Sequence, residues 1–269
     1  MDYVIKEKIS TNKDCTKIGE FLYSKNENSI YFELPYPFRV QLKIVDWHKV
    51  YCTPGFKRLF TILRGNINID LLCRELDLIK YVQEDKLLLH ASCIAENGIG
   101  KLRVGFPNSG KTYETYRSVA DGYDLISEEY TVIYKRMASA YKPKCRSCLS
   151  AKTIGIGGFK LTNKENLLLK MTTLRSKLMP FMFEAAIWKD IAVKGTSSIV
   201  DSIVYGSTND CIENYKDLIL LTENEFPFMG EYILEAYAMA SRFDLIGIQN
   251  KQRQLIYEFV NSISDNTIV

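Results

Sequence analysis

The chain has 269 residues, 46% hydrophobic and 25% charged, enough apolar side chain to bury a large core as one big domain or two smaller ones. Its 35 Lys and Arg against 32 Asp and Glu leave a net charge of +3, which excludes nucleic-acid binding driven by overall charge. No apolar run approaches the roughly 18 residues of a membrane span, so no membrane partner is expected. Seven scattered cysteines without a signal-peptide pattern predict free thiols in a reducing, cytoplasmic setting.

In chain order, residues 1–85 alternate short apolar strands with polar breaks. In Ser29–Val45, "SIYFELPYPFRVQLKIV", Tyr, Phe, Val and Ile dominate and prolines interrupt. A small β-rich module is expected there, closed by a helix over Asn68–Asp85 with Leu71, Leu72, Leu76, Ile79 and Val82 near helical spacing. Next, the apolar run Leu87–Ala95, a Glu96–Gly98 turn and a second apolar stretch up to Gly105 predict a hairpin. Tyr113, Tyr116, Val119 and Ala120 share one face of a helix that stops at Gly122. Tyr123–Lys135 reads as one strand, or two with a kink, carrying Glu128 and Glu129 at its centre. Residues 138–210 read as loop-rich and mixed. Asp217–Phe226 is expected to be a buried strand, Gly230–Phe243 a helix, and Gln252–Ile263 a last helix.

One segment specifies chemistry by its spacing. Gly105-Phe-Pro-Asn-Ser-Gly-Lys-Thr112 satisfies GxxxxGK[ST], and it sits after a predicted strand and before a predicted helix, as a phosphate loop requires. Gly105, Pro107, Asn108, Ser109 and Gly110 would supply the cradle, Lys111 would reach the outer phosphates, and Thr112 would ligate Mg²⁺. GTPases share this loop, but their guanine-reading Asn-Lys-x-Asp is missing. "TNKDC" at Thr11–Cys15 and "TNKEN" at Thr162–Asn166 both lack an aspartate three residues after the asparagine.

Four features stand in order around the loop: His90-Ala91-Ser92 ending an apolar strand, the Asn97-Gly98 turn, the loop itself, and Ser127-Glu128-Glu129. In that order they resemble the HPr kinase/phosphorylase family and its phosphoenolpyruvate-carboxykinase-like relatives, clearly over Leu87–Val132 and in outline beyond. The resemblance implies an α/β fold: an HPr-kinase-like P-loop core of mixed sheet with flanking helices over residues 86–269, beside the N-terminal β-rich module over 1–85. It implies an ATP- and Mg²⁺-dependent kinase acting on a hydroxyl, with serine favoured, of a peptide, small protein or small metabolite. Glu128 would be the base, Glu129 with Thr112 the metal-side groups, Lys111 the phosphate contact, and His90 a hydrogen-bonding or proton-shuttling neighbour of the transferred group. The family pattern has aspartates at the paired acids and Gly-x-Ser-Gly-x-Gly-Lys-Ser in its loop. A nucleotide-binding switch without transfer is the other reading these residues leave, and a homo-oligomer is left open.

Other features are less specific. Lys135, Arg136, Lys142, Lys144, Arg146 and Lys152 form a basic stretch that either attracts an acidic substrate or is a solvated loop. Cys145-x-x-Cys148 is a single pair without zinc spacing. Gly155–Phe159, "GIGGF", reads as a flexible loop. Arg175 and Lys177 are candidates for transition-state charge stabilisation, and His48 is expected to be structural.

Overall fold

A computed structural model describes residues 3–11, 13–34, 39–63, 69–106, 109–142, 144–178, 186–193, 196–208, 210–225 and 232–264. The chain is mixed α/β and divides into two compact units, Met1–Glu84 with Phe226–Arg253, and Asp85–Glu225 with Gln254–Val269. Division of the sequence near residue 85 therefore leaves out that 226–253 groups with the N-terminal residues.

The first unit carries β1 (Tyr3–Ile5), β2 (Thr16–Ile18), β3 (Phe21–Ser24), β4 (Ser29–Leu34), β5 (Val40–Val45) and β6 (Lys49–Cys52), followed by α1 (Pro54–Leu63) and α2 (Ile69–Gln83). The strands form one sheet in the order β1-β6-β5-β4-β3-β2, antiparallel except for β1 beside β6. The β5–β6 hairpin turns through Asp46 and Trp47, both at positive φ, and His48 is exposed on that turn.

The second unit begins with β7 (Lys86–Leu89), β8 (Ala91–Glu96), β9 (Ile99–Val104), α3 (Lys111–Ala120), β10 (Asp124–Ser127), β11 (Thr131–Tyr134) and β12 (Met137–Ala140). It continues with β13 (Lys144–Ser150), α4 (Ala151–Ile156), α5 (Asn163–Leu178), β14 (Ala186–Ala192), β15 (Ser198–Tyr205) and α6 (Tyr215–Glu225). The expected loop-rich middle is thus largely strand and helix. Seven strands make a mixed sheet in the order β10-β8-β9-β15-β12-β11-β7, and β13 and β14 pair separately. Only β9 and β15 of the seven run parallel.

Two connections in this sheet are too short for a flat arrangement. A single residue, His90, joins β7 to β8, and two Cα steps span at most about 7.6 Å. Yet β7 is one edge of the strand order and β8 lies next to the other edge. Glu128–Tyr130 likewise join the opposite edge strand β10 to β11. The sheet must therefore curl until its two ends meet, and His90 and Glu128–Tyr130 occupy the seam. This is why the expected continuous strand Leu87–Ala95 is two strands: its halves pair with different neighbours, β7 with β11 and β8 with β9 and β10.

The odd residues of β8, Ala91, Cys93 and Ala95, face a core closed by Leu218 of α6 and by Ile256, Phe259 and Val260. Ile94 faces the opposite way, onto Tyr116 of α3, Leu149, Ile154, Ile187 and Ile191, as strand alternation requires. The expected strand over Asp217–Phe226 is a helix instead. Leu218 and Thr222, four residues apart, are buried while Leu220 is 56% exposed, a helical and not an alternating pattern. Asn214 accepts a hydrogen bond from the Lys216 N–H at 3.0 Å to start it, and leucine is a good helix former whenever the chain has such a start.

Two helices complete the chain, α7 (Tyr232–Ser241) and α8 (Leu245–Ser264), the latter beginning well before the expected Gln252. Asp244 accepts from the Gly247 N–H at 2.8 Å, an N-cap that a search for apolar periodicity passes over. Within the first unit, Tyr237 of α7 stacks on Trp47 at 4.4 Å between ring centroids. Among the described residues, no helix is long and apolar enough to cross a membrane.

Candidate functional site

At the carboxyl end of β9 the chain enters the phosphate loop. Gly105 has φ +150°, and a Cβ there would lie 2.6 Å from Ser109 Oγ and 3.2 Å from the Gly206 nitrogen. Gly110 has φ +88°, with space for a Cβ blocked by Ser207 Cβ at 2.8 Å. Both positions therefore require glycine. The turn that closes the loop is held from behind by the end of β15, the strand parallel to β9. The Gly206 N–H donates to Val104 O at 2.7 Å, and Arg103 Nη1 donates to the carbonyls of Gly206 at 2.6 Å and Thr208 at 3.0 Å. Burial pulls the Arg103 guanidinium below its ordinary pKa, and the charge of Glu114 opposes this.

Gly110 is the N-cap of α3 and supplies no side-chain cap, so the first turn of the helix presents its N–H groups to whatever occupies the loop. Ser109 Oγ is buried and has no hydrogen-bond partner among the described residues. Lys111 Nζ donates to the carbonyl of Gly105, its own loop. Pro107 and Asn108 lie outside the described residues.

Beneath this loop runs a chain of hydroxyls. Ser92 Oγ on β8 lies 2.6 Å from Thr115 Oγ1, which also donates to Lys111 O at 2.9 Å. The first turn of α3 is thereby tied to β8. At the seam, Thr131 Oγ1 donates to Ala91 O at 2.8 Å and lies 2.6 Å from Ser127 Oγ, so the two short connections are bonded across.

The acids stand on the second of these connections. Consecutive residues of a strand point to opposite faces, but β10 ends at Ser127 and Glu129 has φ +67°. The Tyr130 N–H donates to Glu128 O at 2.8 Å, closing a γ-turn around Glu129, a strained conformation for a residue with a side chain. The turn brings both glutamates to one cleft of about 450 Å³, which they line with His90, Ser109, Gly110, Lys111 and Thr112. His90 stacks on Tyr130 at 5.1 Å between ring centroids.

Glu128 is buried, and Ser147 Oγ, from the middle of β13, donates to its Oε1 at 2.5 Å. Sequence reasoning passed over Ser147 because it sits inside the basic stretch and is brought to Glu128 only by the pairing of β13 with β14, a contact without a local signal. Ser92 was visible as part of His-Ala-Ser; Thr115 had no mark beyond its place in the helix.

The remaining candidates fall elsewhere. Lys135 and Arg136 form the β11–β12 turn, where Arg136 donates to Val200 O. Lys142 lies over the Tyr141 ring and Lys152 over that of Tyr113. None of these four lines the cleft, and neither do the exposed Arg175 and Lys177 in the last turn of α5. Gly155 belongs to α4, and Gly157 is its C-cap. Phe159 packs edge-on against Tyr116, so "GIGGF" is a packed helix end. "TNKEN" has a structural use as well: Thr162 and Glu165 form the capping box of α5, with the Thr162 N–H donating to Glu165 Oε2 at 2.7 Å and the Glu165 N–H to Thr162 Oγ1 at 3.2 Å. Cys148 lines the cleft, and Cys15, Cys52, Cys73, Cys93, Cys148 and Cys211 form no disulfide.

Three features fit a nucleotide's phosphates and their metal: glycines with no room for a Cβ, a helix start without a side-chain cap, and an orphaned hydroxyl at Ser109. Thr112 and the two carboxylates offer the oxygen donors Mg²⁺ prefers. Among the described residues no three His, Cys, Asp or Glu cluster as a metal site, and Mg²⁺ delivered on phosphates takes only one or two protein ligands. No protein-family model matches the chain, and a comparison with curated proteins finds no match.

Proposed function

We propose that this chain is a kinase that transfers the γ-phosphoryl group of ATP to a hydroxyl, serine being favoured, on a peptide, small protein or metabolite. In this reading the second unit is a divergent HPr-kinase-like, phosphoenolpyruvate-carboxykinase-like core. One observation carries it: the γ-turn at Glu129 brings two carboxylates to the same cleft as the phosphate loop.

Phosphoryl transfer needs positioning and charge stabilisation more than covalent work from the protein. The backbone of Gly105–Gly110 and the start of α3 would hold the phosphates, with Ser109 Oγ finding its missing partner there. Lys111 would leave the Gly105 carbonyl to neutralise phosphate charge. Thr112 and Glu129 would hold Mg²⁺, which would supply neutralisation of the phosphate charge. Glu128 accepts the acceptor hydroxyl's proton as the new O–P bond forms and the β–γ bridging bond breaks. The hydrogen bond from Ser147 to its Oε1 orients the carboxylate. His90, stacked on Tyr130, would hydrogen-bond the transferring group.

The test is turnover of γ-labelled ATP with Mg²⁺ and hydroxyl acceptors, by wild type and Glu128→Gln. Transfer lowered by about 10²–10⁴ in the variant, with ATP binding kept, is the expected result. ATP binding without transfer to any acceptor, and slow hydrolysis indifferent to Glu128→Gln, would instead make the chain a nucleotide-binding switch. Stronger thermal stabilisation by GTP than by ATP would overturn the nucleotide assignment.

A further inference from the structure

Helix α5 is anchored by one face. Glu165, Leu169, Thr172, Thr173 and Ser176 are partly buried, Leu169 packs against the core, and Glu165 pairs with Lys189 of β14 at 2.9 Å. At 100° per residue these positions share one side. On the other side lie Leu167, Met171, Leu174 and Leu178, 60%, 59%, 62% and 73% exposed. Their spacings of four, three and four residues draw a straight stripe about 16 Å long.

The charges beside this stripe decide what it fits. Lys164 and Arg175 project along one flank, Lys170 and Lys177 along the other, and all four are exposed. The one acid of the helix, Glu165, is on the anchored face. Two copies of this helix packed stripe to stripe would set cations against cations on both sides of the seam, which is the pattern that disfavours self-pairing. A stripe of Leu and Met between two basic rails is complementary to an amphipathic helix with acidic residues beside its own apolar seam.

We propose that the outer face of α5 is the docking surface for an acidic amphipathic helical segment of a partner polypeptide. The apolar stripe supplies the seam, and the basic rails set the partner's sign of charge. The site is separate from the phosphate-loop cleft, and the proposal does not depend on the kinase reading.

The probe is a fluorescein-labelled synthetic helix of about 18 residues with Leu at the a and d positions and Glu at e and g. Fluorescence anisotropy with the full chain, without nucleotide, reads binding. Saturable binding is expected, weakened at least about tenfold when Glu is replaced by Lys in the peptide, and by a similar factor in Met171→Glu/Leu174→Glu. Both replaced side chains are exposed, so the melting temperature of that variant should match wild type, and a match certifies the fold. Raising salt should weaken binding several-fold. The proposal is overturned by equal binding of the lysine peptide, by undiminished binding to the folded double variant, or by no saturable binding. It is also overturned if phosphatidylserine vesicles compete the peptide off, which makes the face a lipid contact, or if the chain dimerises and Met171→Glu/Leu174→Glu makes it monomeric.

Discussion

The first turns of α3 and α5 solve the same problem in opposite ways. Every helix starts with N–H groups that lack a helical partner. At α5 the chain satisfies them itself, through the reciprocal bonds of Thr162 and Glu165, and α4 does so more simply, with Ser150 Oγ accepting from the Thr153 N–H at 3.2 Å. At α3 the N-cap is a glycine in left-handed conformation without a side-chain cap, beside a buried hydroxyl without a partner. A protein that caps α5 with its own side chains and leaves α3 without one inside a cleft has left room for an outside anion at α3. The open end costs stability until something fills it; the closed end has no use beyond holding its helix.

The largest test of this contrast is Lys111→Ala. The lysine is the one cation of the loop, and charge-assisted hydrogen bonds contribute about 1.5–3 kcal/mol, so nucleotide affinity should fall about tenfold to a hundredfold, read by calorimetric titration with ATP and Mg²⁺. The free protein should melt unchanged or slightly lower, because the variant loses the lysine's bond to Gly105 O. Unchanged affinity would place the phosphates elsewhere.

Gly110→Ala attacks the geometry of the open end. The new Cβ meets Ser207 at 2.8 Å and φ is +88°, so the variant should lose about 1–3 kcal/mol in denaturant unfolding and weaken nucleotide stabilisation as well. At α5 the corresponding N-cap change, Thr162→Ala, breaks the capping box instead and should leave nucleotide binding as it was.

Ser147→Ala sharpens what faces the open end. Ser147 donates to Glu128 and so orients the carboxylate. Without that donor, in the kinase reading, the transfer rate should fall about tenfold while nucleotide affinity is kept. Ser147→Thr, which keeps the hydroxyl, should restore most of the rate. A rate loss that Ser147→Thr does not restore would reduce Ser147 to packing.

The same contrast marks what a sequence can express. The loop was legible because its glycines, Lys111 and Thr112 recur at fixed spacing between a strand and a helix. The hairpin before it was legible because Asn97 and Gly98 supply the two positive φ values, +52° and +81°, of a tight turn. The glutamates were legible as acids, but not their orientation, which depends on the γ-turn at Glu129 and on a sheet that curls until β7 and β8 are one residue apart. Curling is a property of the whole strand order, and a window around His90 sees only an uninterrupted apolar run. For the same reason Ser147 was invisible: its strand pairs with one that follows only after α4 and α5, Ser147 lying opposite Lys189. Asp217–Phe226 failed differently, since a short leucine-rich run suits strand or helix, and the Asn214 cap that decides lies just outside it.

The smallest expected effect is at the closed end, and its sign follows from one group. The Glu165 carboxyl is held down to about 2 from an ordinary 4.5, first by its hydrogen bond with Lys189, then by the backbone and hydroxyl of Thr162. A carboxyl depressed in the folded state stabilises most where it is ionised in both states. The contribution is therefore complete above about 4.5 and is lost as pH falls from there through about 2. Amide exchange in the first turn of α5 should quicken several-fold over that window, relative to the helix middle, and Glu165→Gln should remove the pH dependence while fraying the turn at neutral pH. The nucleotide-induced rise in melting temperature, measured at neutral pH, should be the same in Glu165→Gln as in wild type, because the capping box at α5 and the open start of α3 share no hydrogen bond. If Glu165→Gln lowered that rise, the two helix ends would be coupled, and the first turn of α5 could not be counted as a closed end independent of α3.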